Sequence, residues 1–328
     1  MQVLVTGAGG FIGQHLVQRL SCDGYQVRAS VRRLNPQTVF PAGVEVVEGD
    51  VRDRSAMKAV AARCEIIFHL AGKAHAIRER HTDERDYQTV NVEGTRNVLE
   101  GGIAGGVRRV VCFSTVKVFG EGTSGCVDES VLPAPATPYG QSKWAAEQLV
   151  MEYGRKEALA TTSLRLPLVY GPNHKGNLSR MMAAIDRGRF PPLPRVANVR
   201  SMLHVENLVQ AALLAARSQT SLRPSYIVTD ARPYSITEIY ESLCQGLGRP
   251  APRWRVPLWM LKAVARGGDL VEAIMRRPCA FSTVTLDKLI GPAWYSSDAI
   301  SHDLGYRPTV TFADAVPGMV ASYRHTCV

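Results

Sequence analysis

Tyr139 and Lys143 are the residues whose types and spacing most directly suggest chemistry, because they stand four positions apart in Pro-Tyr-Gly-Gln-Ser-Lys. Side chains with this spacing are neighbours on one helix face, about 5–6 Å apart at Cβ. A free tyrosine has a pKa near ~10 and is a poor base at neutral pH, but a nearby ammonium favours the phenolate. The pair therefore predicts a general acid/base that exchanges a proton with a substrate oxygen.

A glycine-rich turn at the start of the chain offers a second kind of chemistry, since Gly7, Gly10 and Gly13 separate an apolar strand from a helix. Gly7 permits the tight turn, Gly10 lets backbone N–H groups approach a diphosphate, and Gly13 lets the helix pack closely on the strand. The helix N-terminus adds the positive end of its dipole. The turn predicts a dinucleotide site in which Phe11 and Ile12, at the start of the helix, border the cofactor.

The spacing Gly-x-x-Gly-x-x-Gly, preceded by Thr6, resembles that of the extended short-chain dehydrogenase/reductase family, in its nucleotide-sugar epimerase/dehydratase branch. Further segments match the family in order, so that the resemblance runs from residue 1 to about 320. It implies additional cofactor-binding residues: Asp50 and Val51 at the adenine, Leu70, Ala71 and Gly72 in the turn beside the cofactor, and Asn91 in the helix that steadies the catalytic strand.

The same resemblance assigns roles around Tyr139. Thr115 matches the residue that hydrogen-bonds the reacting oxygen, and Ser114 beside it also faces the substrate, while Lys143 would hydrogen-bond the nicotinamide ribose. A pair of hydroxyls can instead simply cap the end of a strand, but the presence of Tyr139 and Lys143 favours catalysis. The implied reaction moves a hydride between cofactor and substrate while Tyr139 moves the proton.

The end of the second predicted strand bears on the choice of cofactor. An acidic residue there would accept both ribose hydroxyls and repel a 2′-phosphate. Ser30, Arg32 and Arg33 stand there instead, and guanidinium groups bind phosphate well. This favours NADP(H) over NAD(H); the alternative is that both arginines are simply exposed after a strand.

The second half of the chain carries residues that the resemblance places on the substrate. Asn177 and Leu178 open a helix where the family holds a diphosphate, and Arg200 matches an arginine that clasps nucleotide phosphates. Arg200 could equally be a surface residue that begins a strand. Leu168 stands where epimerases often carry an asparagine, which favours 4-keto or N-acetylated deoxy sugars. We expect a UDP-sugar rather than a dTDP-sugar, and no metal site, because no histidine has a second ligand at metal spacing.

Several functions stay open. The leading prediction is an NAD(P)(H)-dependent nucleotide-sugar oxidoreductase that reduces a UDP-4-keto-hexose, and the alternative is a UDP-hexose or UDP-N-acetylhexosamine 4-epimerase. A dehydratase is less favoured, because Val116 and Lys117 replace its acid/base pair. Two alternatives belong to other classes. One is a non-catalytic dinucleotide-sensing protein; the other rests on a membrane through the aromatic and basic segment 253–262.

The elements that must position these residues also follow from the sequence. Short, continuously apolar runs are typical of strands buried on both faces. They occur at 2–5, 26–31, 44–48, 66–69, 109–114 and 162–166, between helical patterns at 11–21, 55–63, 86–101 and 142–156. This alternation predicts an α/β fold, a Rossmann-type doubly wound parallel sheet with a smaller, discontinuous C-terminal substrate lobe. We expect the NAD(P)-binding domain to comprise 1–170, with 196–230 returning to it, and the lobe to comprise 171–195 and 231–328.

Composition and charge limit the partners. The 328 residues include 39 basic and 29 acidic side chains, and the net charge of +10 favours an anionic partner. No nucleic-acid motif is present, so phosphorylated small molecules are expected rather than nucleic acid. No apolar run reaches about 18 residues and no leader pattern is visible, which predicts a cytoplasmic protein without a transmembrane segment. Peripheral membrane contact stays open.

The seven cysteines of the chain form no CxxC pair, as expected of a protein in a reducing compartment. The family resemblance implies a homodimer.

Overall fold

The computed structural model describes residues 1–328 apart from 74–80, 158, 175, 195, 197, 219–222, 253, 276–281 and 327–328. Within that part of the chain the strands are β1 (Gln2–Thr6), β2 (Gln26–Val31), β3 (Glu45–Glu48), β4 (Ile66–His69), β5 (Arg109–Thr115), β6 (Cys126–Val127), β7 (Ala160–Leu166), β8 (Leu168–Tyr170), β9 (Arg200–His204), β10 (Ser225–Ile227), β11 (Pro233–Tyr234) and β12 (Trp294–Tyr295).

The α-helices of the same residues are α1 (Phe11–Cys22), α2 (Arg54–Ala61), α3 (His81–Tyr87), α4 (Gly94–Ala104), α5 (Pro138–Lys156), α6 (Asn177–Asp186), α7 (Val205–Arg217), α8 (Ile236–Leu247), α9 (Leu258–Met275), α10 (Thr283–Ile290), α11 (Asp298–Leu304) and α12 (Phe312–Thr326). A π-helical segment, Gln88–Glu93, joins α3 to α4, and a 3₁₀ turn, Val116–Phe119, follows β5.

A parallel sheet of seven strands lies at the centre, in the order β3-β2-β1-β4-β5-β7-β10. All residues of β4 and β5 are buried, as their apolar runs predict for strands covered on both faces. The six strands predicted in the first 170 residues are all present in this sheet. The strand order reverses between β1 and β4, and in such sheets the crevice at the carboxyl ends of the strands binds the ligand.

Helices cover both faces because successive side chains of a strand point to opposite sides of the sheet. Val3 and Val5 of β1 pack in one core with α1 and α7. Leu4, between them, packs on the other face with residues of α2, α4 and α5, among them Met57 and Leu99. The predicted doubly wound Rossmann-type arrangement is confirmed.

The helix predicted over residues 86–101 is longer and less regular than expected. It begins at His81, passes through the π-helical segment and ends at Ala104. A π-helical turn is rare and often marks a functional site, because it shifts the side chains that follow relative to a regular helix. Here the π-helical segment carries Asn91, whose side chain is buried.

Helix α5 begins at Pro138 rather than at the predicted Ser142. The Thr137 side chain caps it by accepting a hydrogen bond from Gly140 N at 3.1 Å, and proline is well suited to the first helical position. Tyr139 therefore lies in the first turn of the helix, one turn before Lys143.

A second apolar core lies around the short sheet of β8, β9 and β11. It is formed by side chains of β8, β9, β11 and five helices, for example Leu178 in α6, Leu243 in α8, Leu261 in α9, Leu286 in α10 and Phe312 in α12. Ile300 and Tyr306, near the C-terminus, belong instead to the core of the main sheet. The smaller C-terminal lobe is thus present, whereas the exact domain boundaries stay a prediction.

Candidate active site

A cavity of about 850 Å³ lies at the carboxyl ends of the first four strands, beside the point where the strand order reverses. Nine of the predicted cofactor-binding residues line it: Gly7, Gly10, Arg32, Arg33, Asp50, Val51, Leu70, Ala71 and Gly72. The fold therefore brings four separate segments of the sequence together where a dinucleotide binds in this class of sheet.

The glycine-rich turn needs its glycines for steric reasons. Gly7 has a φ of +69°, and a Cβ there would stand 2.7 Å from the backbone nitrogen of Ala71. A Cβ on Gly13 would stand 2.7 Å from the carbonyl oxygen of Ala8, so the helix could not pack as closely on the turn. Gly10 precedes α1 without any side-chain cap. The first N–H groups of α1 therefore remain available to a phosphate, and the turn fits a dinucleotide.

Phe11 and Ile12 occupy the first turn of α1, half-buried beside the cavity rather than among the side chains that line it. The Phe11 ring packs edge-on against His174, with the ring centroids 5.2 Å apart, and Ile12 packs on the core of the main sheet.

His69 ties the turns after β1 and β4 to α4. Its Nδ1 lies 2.8 Å from Thr6 Oγ1 and its Nε2 lies 3.0 Å from Thr95 Oγ1, while Thr6 Oγ1 accepts a hydrogen bond from Ala71 N. Complete burial, together with the nearby Lys143 ammonium, lowers the pKa of His69 to about 3. His69 is therefore a neutral structural link. The described residues contain no cluster of His, Cys, Asp or Glu side chains suited to a metal ion.

Two arginines at the end of β2 leave their charges available to a ligand. Arg32 and Arg33 line the cavity with exposed side chains, and no ion pair joins either of them to another residue in the described part of the chain. Arg52, by contrast, is bound to Asp50, with Nη2 2.6 Å from Oδ2. Hydrogen bonding to Arg52 lowers the pKa of Asp50, so this carboxylate is already compensated by its neighbour.

The Asn91 side chain holds the loop after β4 in place through hydrogen bonds. Its Oδ1 accepts a hydrogen bond from Lys73 N at 2.8 Å, and its Nδ2 donates to Ser142 Oγ at 2.9 Å. Ser142 Oγ donates to the carbonyl oxygen of Tyr139 at 2.8 Å. The Asn91 amide, which the sequence assigns to the cofactor, thus links the loop at Gly72 to the first turn of α5.

Tyr139 lies beside Thr115 and Tyr87. Its ring centroid is 5.8 Å from that of Tyr87, and its hydroxyl shares a hydrogen bond with the side chain of Thr115. Burial raises the pKa of Tyr139 to about 12; the hydrogen bond with Thr115 acts in the opposite direction, and Tyr87 adds to the rise. The phenol is therefore protonated at neutral pH and can donate a proton.

Lys143 holds its ammonium at the end of β5, one helical turn after Tyr139. The side chain is 7% exposed, and its Nζ donates a hydrogen bond to the carbonyl oxygen of Phe113 at 2.6 Å. Thr115 Oγ1 accepts a hydrogen bond from Lys117 N at 3.3 Å, and the same side chain shares a hydrogen bond with the Tyr139 hydroxyl. Thr115, Tyr139 and Lys143 thus lie close together, while their catalytic roles stay a prediction.

Ser114 is occupied by a buried ion pair that the sequence prediction missed. Its hydroxyl donates a hydrogen bond to Glu147, and Glu147 pairs with Arg165 of β7 at 2.9 Å. The two charged side chains are 1% and 4% exposed. Glu147 follows Lys143 by four positions, so the continued spacing from Tyr139 was the signal that could have revealed it.

The predicted substrate residues lie in two places. Arg200 is half-buried at the start of β9, where its Nη1 donates to the carbonyl oxygen of Gly291 at 2.6 Å. Burial lowers the pKa of Arg200, while neighbouring Tyr295 acts in the opposite direction. The Tyr295 ring packs 6.3 Å from that of Phe119, in the 3₁₀ turn after Thr115. Arg200 is therefore connected through two aromatic rings to the end of β5.

Asn177 and Leu178 begin α6, whose N-cap, Gly176, supplies no side-chain hydrogen bond. The side chain of Asn177 is exposed, whereas that of Leu178 is buried in the second core. Leu178 can therefore offer a ligand only its backbone.

Two relatives and one solved structure resemble this chain over more than four fifths of its length. The UDP-glucose 4-epimerase of Vibrio cholerae is 28% identical over 83% of this chain and 84% of its own. The 2-alkyl-3-oxoalkanoate reductase of Stenotrophomonas maltophilia is 28% identical over 98% of this chain and 99% of its own. The structure of MoeE5 in complex with UDP-glucose and NAD superposes with a TM-score of 0.77, at 26% identity, and covers 100% of both chains.

The family described as the NAD dependent epimerase/dehydratase family matches residues 3–228. That stretch includes the glycine-rich turn, the arginines after β2, and Thr115, Tyr139 and Lys143. The match begins in β1 and ends just after β10, so it spans the entire central sheet. The chain belongs to the NAD-dependent epimerase/dehydratase family, within the extended short-chain dehydrogenases/reductases.

Proposed function

We propose that this protein is a nucleotide-sugar 4-ketoreductase, which reduces a UDP-4-keto-hexose, with N-acetylated and 6-deoxy sugars as the expected substrates. The observation that carries the proposal is the protonated Tyr139 beside Thr115 and the buried Lys143. Reduction of a ketone needs a proton donor, and a tyrosine phenol, whose ordinary pKa is near ~10, holds that proton at neutral pH.

The residues divide the work as follows. Tyr139 donates its proton to the C4 oxygen, and Thr115 donates a hydrogen bond to the same oxygen. The Lys143 ammonium stabilises the phenolate that Tyr139 leaves behind, because an opposite charge nearby favours the ionised form. When bound in the cavity, the nicotinamide cofactor supplies the hydride for C4.

Arg32 and Arg33 support NADP(H) as the cofactor of this chain. A 2′-phosphate on the adenosine ribose would lie at the end of β2, where the two exposed guanidinium groups form no ion pair with a described carboxylate. The dinucleotide in the related MoeE5 complex is NAD, so the preference proposed here rests on these two arginines alone.

Arg200 supports a substrate that carries a nucleoside diphosphate, which this arginine would bind. The half-buried Arg200 guanidinium donates to a backbone carbonyl oxygen, which does not neutralise its positive charge. That charge can therefore bind a phosphate. UDP-glucose is present in the related MoeE5 complex, which favours uridine over thymidine as the base.

A 4-epimerase is the second candidate, and the relationship to a UDP-glucose 4-epimerase supports it. An epimerase uses the same tyrosine first as base and then as acid, and it retains its cofactor through the whole cycle. A cofactor that must exchange after each turnover therefore distinguishes the reductase.

The test is turnover of a UDP-4-keto-6-deoxyhexose, with or without an N-acetyl group, in the presence of NADPH. We expect NADPH oxidation with formation of one 4-hydroxy sugar, and a loss of roughly 10²–10⁴-fold in kcat for Tyr139→Phe. Equal turnover by Tyr139→Phe would contradict the mechanism. Nucleotide binding without any turnover of UDP-sugars would indicate a dinucleotide-sensing protein instead.

Two further features belong to this proposal. We propose a homodimer through α4 and α5, which pack side by side on one face of the sheet. We also propose a reducing, cytoplasmic location, and the five cysteines that the structure describes, at 22, 64, 112, 126 and 244, are free thiols.

A further inference from the structure

An apolar surface on α9 stands out from the rest of the molecule. Fifteen large hydrophobic side chains are exposed in the described part of the chain, and seven of them lie within 22 residues. We call these seven the α9 surface: Trp254, Trp259, Met260, Val264, Leu270, Val271 and Met275. Large contiguous apolar patches on a protein surface mark contacts with a membrane or another protein.

One face of α9 packs against the protein, and the opposite face is exposed. Leu261 and Ala265 are buried in the core of the C-terminal lobe, against which α10 also packs. At about 100° per residue, the exposed members of α9 from Trp259 to Met275 fall within an arc of about 160°. The helix of 18 residues is about 27 Å long, so this apolar arc extends along its whole length.

Basic residues border the apolar arc. Lys262 and Arg266 are exposed, lie one turn apart beside Trp259, and form no ion pair with another residue that the structure describes. Residues 253–277 contain six basic and two acidic residues, and so carry +4 of the net charge of +10. An apolar face with tryptophan and a basic edge is typical of helices that lie in the plane of a bilayer surface.

We propose that the α9 surface docks this protein on an anionic phospholipid bilayer, with α9 parallel to the membrane plane. The exposed basic residues favour a bilayer over a second copy of the chain. Two copies meeting through α9 would bring Lys262 and Arg266 of each copy to an apolar contact, whereas anionic headgroups would neutralise these charges. None of the helices in the described residues combines the length and apolarity needed to cross a membrane, and the packed face of α9 fits a surface contact.

Co-sedimentation of the full-length protein with vesicles tests the proposal. We expect binding to vesicles of phosphatidylcholine mixed with phosphatidylglycerol, much weaker binding to phosphatidylcholine alone, and a decline as salt is raised. Trp259→Gln with Leu270→Gln should weaken binding by roughly tenfold or more, and so should Lys262→Glu with Arg266→Glu.

Matched controls carry the same changes elsewhere on the surface. Leu132→Gln alters a side chain that is 84% exposed outside the α9 surface, and Lys58→Glu with Arg108→Glu reverses two exposed charges. Both controls should bind vesicles as the unaltered protein does. NADPH binding and thermal unfolding of every variant would show that the fold is intact.

Bromine-labelled lipids give a second readout that leaves the contact chemistry nearly unchanged. They should quench the tryptophan fluorescence of the unaltered protein, and Trp254→Phe with Trp259→Phe should bind vesicles but lose most of the quenching. The proposal fails if the unaltered protein binds no anionic vesicles, or if the α9 variants bind as well as the controls. It also fails if the α9 surface proves to join two copies, seen as a solution mass that halves in the Trp259→Gln and Leu270→Gln variant without vesicle binding.

Discussion

At the scale of single residues, the site depends on which charges are already compensated. Asp50 is bound by Arg52, and Glu147 by Arg165, so neither carboxylate is available to a ligand without exchanging its partner. Arg32 and Arg33 differ, because both are exposed and neither forms an ion pair within the described part of the chain. The electrostatics of the cavity therefore favour a ligand with extra negative charge at the end of β2.

Replacing Arg32 by Asp together with Arg33 by Ala tests that statement. We expect NADPH affinity to fall by roughly tenfold to a hundredfold, since two charge-assisted hydrogen bonds to phosphate are lost, while NADH affinity changes little. Titration of protein fluorescence with each nucleotide measures both affinities. Arg108→Ala, an exposed arginine away from the cavity, is the control, and equal losses for the two nucleotides would remove the argument for NADP(H).

His69 gives a prediction about pH. Its pKa is lowered from an ordinary value of 6.5 to about 3 in the folded protein. Between these values the unfolded chain binds a proton that the folded chain does not, so this residue makes the protein less stable as pH falls from 6.5 towards 3. His69→Gln should reduce the slope of unfolding free energy against pH in that window by up to about 1.4 kcal/mol per pH unit.

Urea unfolding at several pH values measures this slope, with His302→Gln, an imidazole on the surface, as the control. An unchanged slope in His69→Gln would mean that His69 is protonated in the folded state. The pKa of His204 is also lowered, to about 4, so a residual slope from that residue is expected in both variants.

At the scale of elements, β5 and α5 are fixed to each other by buried polar groups. Ser114 donates to Glu147, Glu147 pairs with Arg165, and Lys143 donates to the carbonyl oxygen of Phe113. These contacts hold the helix that carries Tyr139 against the strand that ends in Thr115. The geometry of the proton donor is therefore set by the packing of two elements as well as by the spacing of Tyr139 and Lys143.

Glu147→Gln should destabilise the protein by about 3–5 kcal/mol, because it leaves the buried guanidinium of Arg165 without a counter-charge. Adding Arg165→Met should recover part of that loss, since a buried pair replaced by uncharged groups costs less than a broken one. Denaturant unfolding measures both. If Glu147→Gln were as stable as the unaltered protein, the ion pair would not be what joins α5 to β7.

The elements that the sequence predicts well are those with a local signal. Continuous apolar runs predict the central strands, and the glycine spacing predicts the turn after β1, because each pattern follows from burial or sterics at its own position. The π-helical segment before α4 carries Asn91, whose contact with Ser142 joins distant parts of the chain. The Glu147–Arg165 pair also joins separate parts of the chain, since Arg165 follows Glu147 by 18 residues. The early start of α5 has a local signal, the Thr137 cap followed by Pro138, which the sequence prediction missed.

At the scale of the whole molecule, the net charge of +10 reflects basic residues that serve two kinds of anionic partner. Arg32, Arg33 and Arg200 would bind phosphates of the cofactor and the substrate, and Lys262 and Arg266 lie beside the exposed apolar face of α9. The protein would thus bind two phosphorylated small molecules while resting on an anionic surface.

The central claim is that this member of the family is a reductase, whose cofactor leaves after each turnover. The most direct measurement is the amount of nicotinamide dinucleotide released when the purified protein is denatured, determined by chromatography against the protein concentration. We predict well under one nucleotide per chain, together with NADPH-dependent reduction of a UDP-4-keto sugar by the same preparation. One tightly held NAD(H) per chain, with interconversion of UDP-hexose epimers and no need for added NADPH, would contradict the account.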